Sequence, residues 1–369
     1  MKTVTFTVIN DLLTDNRVLK TAEYLAAKGY RVKIFGRKLQ KSYPPFSSNK
    51  NITVKRFKLP VNKGKLFYLY YNFILFFALL FNKKDILLAI DLDTLLPNYF
   101  VSRLQNKKLV YDSHELFTEV PELIDRPKTK KIWLKLESWI LPKLKHCYTV
   151  SHSVAEVYKN RYGVWFEVIR NLPHYEKVKS IPDNLKLNHI STKGKILLYQ
   201  GSLNKGRGIE LMIKTMALLD GFILVIAGSG DLENELKKLA AELNLLDRKV
   251  FFLGRIPANQ LKYITAQAYL GLSLEEEAGL NYKYALPNKL FDYIMAEVPQ
   301  IVSPLTEMKK IIDQYKTGIL LTKHDEETLK NTILSITSGQ YGEMKKNCEI
   351  ASKELNWENE AKKLEKYFP

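Results

Sequence analysis

The chain has 369 residues, a length that indicates two domains of about 100–200 residues each. Hydrophobic residues make up 46% of it and charged residues 26%, with 17 glycines and 14 prolines, a composition that excludes a disordered or collagen-like chain. The two cysteines, Cys147 and Cys348, lie far apart and belong to no Cys/His cluster. A disulfide scaffold and a structural zinc site are therefore not expected, and a reducing cytosol is favoured.

Positive charge is concentrated in the first half of the chain. The net charge is +18, and residues 1–170 hold 30 Lys and Arg against 14 Asp and Glu, whereas residues 171–369 hold 27 against 25. The first half is therefore expected to meet something anionic, such as nucleic acid, anionic lipid or a phosphorylated substrate. Nucleic acid is not favoured, because no recognition module or RNA-binding motif is present.

Short apolar runs alternate with helical patterns from the amino terminus onward. Residues 1–10 lack the apolar run of a signal peptide and predict a first strand instead. In the first half we predict a helix at 15–28 and strands at 4–9, 32–35, 52–57, 86–90, 109–111, 147–150 and 166–169. In the second half we predict helices at 209–219 and 232–243 and strands at 195–200, 222–227, 250–253, 269–272, 300–302 and 318–321. The alternation predicts an α/β protein with parallel sheets covered by helices on both faces.

A polar stretch divides the two halves. Residues 177–193 contain Pro182 and show no periodicity, which indicates a linker. We therefore predict two Rossmann-like doubly wound domains, at 1–176 and 194–354, that face a central ligand cleft at the carboxyl ends of their strands. A helix at about 355–369 is expected to pack back on the first domain.

The segment 66–81 is apolar throughout except for Asn72, with two lysines close to each end. A membrane-spanning helix needs about 20 apolar residues, so a span is disfavoured. A largely buried helix of the first domain is the favoured interpretation, and an interfacial helix that contacts lipid is the alternative.

Tryptophans and lysines share the segment 126–145. Its apolar residues can lie on one helical face while the lysines lie on the other, a pattern typical of helices on anionic membranes. A solvated basic face over an ordinary core stripe is the alternative. We favour membrane contact, through Lys128, Lys130, Lys131, Trp133, Lys135 and Trp139.

Two glycine-containing turns follow predicted strands of the second half. Residues 201–208 (GSLNKGRG) precede a helix, where free backbone N–H groups bind phosphate well, and Arg207 adds a bidentate donor. The spacing is not that of a Walker loop. The second turn, from Gly228 to Gly230, lacks the third glycine of an NAD fingerprint and is interpreted as a tight turn with room for a ligand.

The segment LPNKLFDY at 286–293 predicts the start of a helix. Pro287 and Asn288 leave amide donors free there, and Lys289 is placed to neutralise phosphate. Asp292, one turn later, can accept hydrogen bonds from a ribose diol.

Acidic residues and a histidine end two strands of the first half. Asp112, His114 and Glu115, in the sequence YDSHE, are expected at the mouth of the cleft. Asp91 and Asp93 form a DxD pair, which we interpret as a strand end and a helix cap rather than as a metal site.

Together these motifs resemble the retaining glycosyltransferases of family 4, which have the GT-B fold. The similarity extends over nearly the whole chain, through IND and DNRV at 9–18, YDSHE, YQGSLNKGRG, IAGSGD, FLGRI and LPNKLFDY followed by VP. It implies that the second domain binds a nucleoside diphosphate sugar and that the first domain binds the acceptor. It also implies retention of anomeric configuration and no metal or other cofactor.

The resemblance assigns roles to particular residues. Arg207 stands where the family has a diphosphate-binding base, and Asp292 stands where the family has the second Glu of its E-x7-E motif. His114, with Asp112 and Glu115, is expected to be catalytic and to hold the donor sugar. The full expected donor site comprises Gly201, Ser202, Arg207, Gly230, Arg255, Pro287, Asn288, Lys289, Leu290 and Asp292, and the expected acceptor-side loop comprises Asp15, Asn16 and Arg17.

Three features differ from the family's pattern. Tyr284 stands in place of the first Glu of the motif, and Ser202 stands in place of the other basic phosphate ligand. Residues 11–17 replace the Gly-Gly loop of many members. We expect Lys289 to supply the charge that Ser202 does not.

The expected function is transfer of a hexosyl group, with a UDP-sugar favoured as donor, to a hydroxyl of a glycan or lipid-linked acceptor in cell-surface polysaccharide synthesis. The expected location is cytoplasmic, peripheral at the inner face of the cell membrane. An epimerase or hydrolase of the same fold and a catalytically weak nucleotide-sugar-binding protein are the alternatives.

Overall fold

The computed structural model describes residues 1–13, 15–39, 49–120, 123, 126–191 and 194–369. The chain divides into a first unit, formed by residues 1–171 and 361–369, and a second unit, formed by residues 172–360.

The described part of the first unit contains a parallel sheet. Its strands are β1 (Thr3–Thr7), β2 (Arg31–Lys38), β3 (Ile52–Lys58), β4 (Ile86–Ile90), β5 (Lys108–Ser113), β6 (Cys147–Thr149) and β7 (Glu167–Val168). They lie in the order β3-β2-β1-β4-β5-β6-β7. Every residue of β1 and β4 is buried, because helices cover both faces of the sheet, and this explains the uninterrupted apolar runs in the sequence.

Helices of the first unit begin at recognisable caps. They are α1 (Asn16–Ala27), α2 (Gly64–Phe81), α3 (Leu92–Leu104), α4 (Pro127–Ile140) and α5 (His152–Tyr162). The Asp15 carboxylate accepts the Val18 N–H at the start of α1, and the Ser151 hydroxyl accepts the Val154 N–H at the start of α5. Gly163 ends α5 with φ of 67°, in the left-handed region that favours glycine.

The apolar helix α2 is buried along one face and exposed along the other. Only 22% of it is buried, although it is long and apolar enough by length and composition to cross a membrane. One face packs on the unit through Phe67, Tyr71, Leu75 and Leu79, and the Tyr71 hydroxyl donates to the Val8 carbonyl. The favoured interpretation, a largely buried helix, is therefore wrong, since its opposite face carries large apolar side chains into solvent.

The second unit repeats the topology of the first. Its strands are β8 (Lys195–Gln200), β9 (Phe222–Ala227), β10 (Val250–Gly254), β11 (Leu270–Ser273), β12 (Gln300–Val302) and β13 (Gly318–Leu320). They pair in parallel in the order β10-β9-β8-β11-β12-β13, the doubly wound order also formed by the first six strands of the chain. The predicted α/β class with two Rossmann-like units is confirmed.

Helices cover this second sheet on both faces. They are α6 (Asn188–Ser191), α7 (Ile209–Thr215), α8 (Glu233–Glu242), α9 (Ala258–Thr265), α10 (Leu280–Lys283), α11 (Asn288–Met295), α12 (Thr306–Tyr315), α13 (Glu326–Leu334), α14 (Ser338–Glu354) and α15 (Trp357–Glu360). The core beside β8, β9 and β11 includes Leu224, Ile226 and Leu272, each almost fully buried.

The segment expected to link the domains belongs to the second unit. Leu187 and Ile190 are buried in its core, and Lys177 forms ion pairs with Glu297 and Glu349. The boundary lies at Asn171 and Leu172 rather than at residue 176, and residues 192–193 of the expected linker lie outside the described residues. At the other end of the chain, the Tyr367 hydroxyl donates to the Cys147 carbonyl at 2.9 Å within the first unit.

Candidate active site

Both sheets bring functional side chains to the carboxyl ends of their strands. In the first unit the strand order reverses between β1 and β4, and in the second unit it reverses between β8 and β11. Doubly wound sheets bind ligands at such reversals. Asp91 directly follows β4, Gly201 follows β8, and Glu275 lies two residues beyond β11.

In the first unit, Arg17, Asp112 and His114 form a buried charged group. The Arg17 guanidinium donates to both Asp112 carboxylate oxygens, from Nη2 at 2.8 Å and from Nε at 3.3 Å, and to the Ile169 carbonyl. The other side of Asp112 contacts His114, with 3.0 Å between Oδ2 and Nε2. Both Arg17 and Asp112 are at most 4% exposed, so the aspartate holds the imidazole from a fixed position.

The charges of this group support one another. Burial alone would raise the pKa of Asp112, but Arg17 and His114 lower it to about 2. Burial alone would lower the pKa of His114, but the carboxylates of Asp112 and Asp91 raise it to about 9. At neutral pH the group is therefore an imidazolium beside an ionised carboxylate.

Asp91 supports His114 from the other side. Its Oδ1 accepts the His114 backbone N–H at 2.8 Å, and its Oδ2 lies 3.9 Å from Nδ1. The residue has φ of 56°, in the left-handed region, a conformation that costs a non-glycine residue about 1 kcal/mol or more. Burial, opposed by His114, raises the pKa of Asp91 to about 7.

The interpretation as a strand end and helix cap is therefore correct for the position of Asp91, but wrong for its side chain and for Asp93. Asp91 precedes α3, but its carboxylate forms no capping bond to that helix and binds His114 instead. Asp93 is buried in the first turn, where burial and then Asp91 and Glu115 raise its pKa well above the ordinary value. No group of three or more His, Cys, Asp or Glu side chains is placed to hold a metal ion in the part of the chain that the structure describes.

The expected acceptor-side loop is divided between different roles. Asp15 caps α1 and also accepts a hydrogen bond from Asn10 at 2.7 Å. Asn16 is exposed. Arg17 lies within α1, not in a loop, and is buried against Asp112, so it supports the charged group. Thr14, within the same segment, lies outside the described residues.

In the second unit, the two glycine turns contact each other through their backbones. The Leu203 N–H donates to the Ser229 carbonyl at 3.1 Å, and the Gly201 N–H donates to the Ala227 carbonyl at 3.0 Å. A Cβ on Gly228 would lie 1.8 Å from the Gly201 carbonyl oxygen, and one on Gly230 would lie 2.5 Å from that of Leu203. Glycine is therefore required where these turns meet.

Arg207 and Lys289 converge on one buried carboxylate, Glu275. Lys289 Nζ lies 2.6 Å from Glu275 Oε1, and Arg207 Nη1 lies 3.7 Å from the same oxygen. Glu275 is fully buried, Lys289 is 7% exposed and Arg207 is 26% exposed. Burial and the Arg207 charge lower the pKa of Lys289, and Glu275 opposes that shift. Two cations therefore share one carboxylate, with the arginine nearest the solvent.

Other expected donor-site residues lie around this group. Pro287 precedes α11, whose first turn has no side-chain cap. Asp292 accepts a hydrogen bond from Gln200 Nε2 at 2.9 Å, which places its carboxylate beside the end of β8. Leu290 is buried, Tyr284 is half-buried, and Gly201, Ser202, Gly230, Arg255 and Asn288 are exposed. Arg255 directly follows β10 at the same edge of the sheet.

Sequence reasoning missed Glu275 and His324. Glu275 begins a run of three glutamates, a pattern that usually indicates a solvent-exposed segment. Its position just beyond a predicted strand is the one signal in the sequence that could have indicated a site residue. His324 Nε2 lies 3.0 Å from the Leu274 carbonyl oxygen. A Cβ on Gly208 would come within 3.1 Å of that nitrogen, so His324 closes one side of the glycine turn, and no sequence signal indicated this.

The expected membrane-facing residues of α4 are not equivalent. Trp139 is 44% exposed, and Lys128, Lys131 and Lys135 are exposed. Trp133 instead packs its ring against Tyr68 and Phe117, and Lys130 pairs with Glu119 at 2.7 Å. The two tryptophans therefore do not share an outward face.

Comparisons with known proteins match each half of the chain to a glycosyltransferase family. Residues 15–173 match the family described as Glycosyltransferase Family 4, and residues 181–355 match the family described as Glycosyl transferases group 1. Two curated relatives are uncharacterized glycosyltransferases of Methanocaldococcus jannaschii. The first is 26% identical over a region that covers 52% of this chain and 50% of the relative. The second is 31% identical over a region that covers 34% of this chain and 31% of the relative. The matched region thus spans about half the length of the first relative and less of the second.

Solved structures share the fold at low identity. Sucrose-phosphate synthase from Thermosynechococcus elongatus is 18% identical, with a TM-score of 0.83, covering 100% of this chain and 98% of its own. Anabaena HepE in complex with UDP-glucose is 14% identical, with a TM-score of 0.73 and coverage of 100% and 99%. WaaG, a glycosyltransferase involved in lipopolysaccharide biosynthesis, is 16% identical, with a TM-score of 0.67 and coverage of 98% of both chains.

Proposed function

Since this chain belongs to the family 4 glycosyltransferases of the GT-B fold, we propose that it transfers a hexosyl group from a nucleoside diphosphate sugar to an acceptor hydroxyl with retention of anomeric configuration.

The observation that carries the proposal is the excess of positive charge beside the glycine turns of the second unit. Arg207 and Lys289 share the single carboxylate of Glu275, so one positive charge remains for an incoming anion. The buried Arg207 Nε has no hydrogen-bond partner, and a buried unsatisfied donor is costly until a ligand accepts from it. A donor diphosphate satisfies both requirements, and Arg207 and Lys289 stabilise the charge that develops on it as it leaves.

The first unit supplies a second positive group, the His114 imidazolium. We assign to it the donor sugar, with Asp112 and Asp91 fixing the ring by their contacts at 3.0 and 3.9 Å. The acceptor hydroxyl attacks the face from which the diphosphate departs, the outcome that the family resemblance implies. In this proposal no metal or cofactor takes part.

A UDP-sugar is the favoured donor, and HepE, a structural neighbour, is known in complex with UDP-glucose. The favoured acceptor is a hydroxyl of a glycan or a lipid-linked saccharide in cell-surface polysaccharide synthesis. Another structural neighbour, WaaG, is involved in lipopolysaccharide biosynthesis. We propose a cytoplasmic enzyme, peripheral at the inner face of the cell membrane, and the two free cysteines fit a reducing compartment.

A thermal-shift screen of UDP, GDP, ADP and CMP tests the donor, because a ligand that binds only the folded state raises its stability. UDP should give the largest shift. Labelled sugar nucleotides, supplied with and without lipid-linked acceptors, then test the reaction. Acceptor-dependent transfer supports the proposal, whereas release of free sugar or epimerisation without acceptor contradicts it. Nucleotide binding without any turnover would instead indicate a weak or inactive binder.

A further inference from the structure

A cavity of about 460 Å³ lies at the amino-terminal edge of the first unit's sheet. It is formed by the end of α3, the start of β5 and the segment that precedes β6. Its basic lining residues are Arg103, Lys107, Lys108, Lys143, Lys145 and His146. None of its described lining residues is acidic, so this concave surface carries an unbalanced positive charge.

The basic groups of the cavity lie close together, and no carboxylate is among its described lining residues. The Arg103 guanidinium donates to the Lys143 carbonyl at 3.4 Å. Burial and the charge of Lys2 lower the pKa of Lys108. Burial together with Lys108 and Lys145 lowers the pKa of His146. Burial is the larger cause of both pKa shifts and neighbouring positive charges are the smaller one, and an anion in the cavity would stabilise the protonated forms.

This cavity is separate from the candidate active site. Lys108 begins β5, whereas Asp112 lies near its end, and four steps along a strand span roughly 13 Å. The cavity and the His114 group therefore lie at opposite ends of the same strand, so the cavity is not part of the site assigned to the sugar.

Exposed apolar side chains adjoin the cavity. Lys143 Nζ lies 4.3 Å from the centre of a Trp139 ring, and Trp139 packs on Phe100 with ring centres 5.9 Å apart. Phe100 is 42% exposed and Leu104, one turn later, is 68% exposed. A tryptophan that combines an exposed apolar ring with a neighbouring lysine is typical of the interface between a bilayer and water.

The apolar surface continues onto α2. Gln105 Nε2 donates to the Leu80 carbonyl at 2.9 Å, which ties the end of α3 to the end of α2. The exposed apolar residues of α2 recur at helical spacing along one face, namely Leu66, Leu69, Tyr70, Phe73, Phe77 and Phe81. Because the opposite face is packed on the unit, α2 can lie in the plane of a bilayer surface with its exposed apolar face toward the lipid.

We propose that the cavity binds the phosphate headgroup of an anionic membrane lipid, while the exposed apolar face of α2 and the Phe100, Leu104 and Trp139 side chains enter the bilayer interface. A free anion would use the cavity alone, and a partner protein without an acidic surface would leave the positive charge of the cavity unbalanced. An anionic bilayer accounts for both the charge and the adjoining apolar surface. The inference assigns a surface to the peripheral membrane location proposed above and rests on that part of the proposed function, but it does not depend on the proposed reaction.

The test is flotation of the full chain with vesicles at low salt. Vesicles of phosphatidylcholine mixed with phosphatidylglycerol are compared with vesicles of phosphatidylcholine alone. A charge-reversed variant, Lys107→Glu with Lys145→Glu, is compared with a control of equal charge change, Lys345→Glu with Lys346→Glu, on exposed positions of α14. A third variant, Phe73→Ser with Phe77→Ser, removes exposed apolar rings. Thermal unfolding and UDP-induced stabilisation show whether each variant is folded, independently of vesicle binding.

We expect the wild type to bind the anionic vesicles and release them at high salt. The cavity variant should bind about thirtyfold more weakly or worse at low salt, the control should bind within about threefold of wild type, and the serine variant should also bind more weakly. Equal binding to neutral vesicles, equal losses in cavity variant and control, or binding of inorganic phosphate without binding of anionic vesicles would each overturn the proposal. So would a stable dimer that hides this surface. Absence of binding by UDP, GDP, ADP and CMP would contradict the proposed function, whereas vesicle binding decides this inference.

Discussion

The two units build their functional edges differently on the same strand order. In the first unit, buried side chains form the site, with Arg17, Asp112 and His114 in direct contact. In the second unit, the backbone of two turns forms the site, because glycines allow the turns to contact each other. The cations Arg207 and Lys289 lie beside these turns. A doubly wound sheet therefore specifies where a ligand site lies, whereas the residues that follow each strand determine its charge and chemistry.

The largest expected effect comes from the first edge. His114→Ala should lower kcat about 100-fold or more, because it removes a positive donor placed before the reaction begins. UDP affinity should be unchanged, since UDP is assigned to the second unit. Steady-state kinetics and calorimetry measure the two effects, with the exposed His152→Ala as control. Equal losses in kcat and UDP affinity would contradict the division of roles.

Substitutions at the carboxyl edge of the second unit's sheet should change the affinity for the donor. Arg207→Ala should weaken donor affinity by about 1.5–3 kcal/mol, the range for a hydrogen bond to a charged group, while the unfolding temperature stays near that of wild type. Isothermal titration with the UDP-sugar measures this, and Arg248→Ala on the exposed surface of the same unit is the matched control. An unchanged affinity would remove Arg207 from the donor site.

Backbone contact between the glycine turns can be tested through stability. Gly228→Ala should destabilise the protein by about 1–3 kcal/mol, because the added Cβ meets the Gly201 carbonyl oxygen at 1.8 Å. Gly339→Ala, which has open space around it in a helix, should be neutral or stabilising by up to about 1 kcal/mol, because alanine is the better helix former. Denaturant unfolding of both variants decides the matter, and similar midpoints would show that the turns can move apart.

The charged group of the first unit should make the stability of the protein depend on pH. His114 has its pKa raised from 6.5 to about 9, so its contribution to stability is complete below pH 6.5 and is lost as the pH rises through about 9. Asp112 has its pKa lowered from 3.8 to about 2, so its contribution is complete above pH 3.8 and is lost as the pH falls through about 2.

Activity should therefore decline above about pH 9. Asp91→Asn should move that decline to lower pH, since the Asp91 carboxylate helps to raise the pKa of His114 and an amide oxygen still accepts its backbone N–H. The pH profile of kcat measures the shift, and an unmoved profile would show that Asp91 acts on the backbone alone.

The smallest expected effect is that of metal removal. EDTA should leave kcat unchanged, because the proposal assigns the charge of the leaving diphosphate to Arg207 and Lys289. Turnover assays with EDTA, followed by manganese or magnesium, check this. A loss that manganese or magnesium restores would give Asp91 and Asp93 a metal-binding role instead.

Much of the architecture is predictable from the sequence because local patterns encode it. Strands β4, β8, β9 and β12 have the predicted bounds, since apolar runs buried on both faces end where polar turn residues begin. Arg207, Lys289 and His114 can also be singled out from the sequence, because each stands in a motif of contiguous residues. The loop position expected for Arg17 is wrong, although its spacing of four and eight residues from Thr21 and Leu25 puts it on the buried face of α1.

The sequence by itself determined the α/β class, the order of the elements and the motifs that carry charge, because hydrophobic period and turn chemistry act over a few residues. The tertiary structure alone decided that Glu275 joins Arg207 to Lys289, that Asp91 serves His114 instead of α3, and that one face of α2 remains uncovered. Each of these outcomes depends on which other segment packs against a side chain, and burial and charge pairing between segments distant in the chain leave no periodic trace in the sequence.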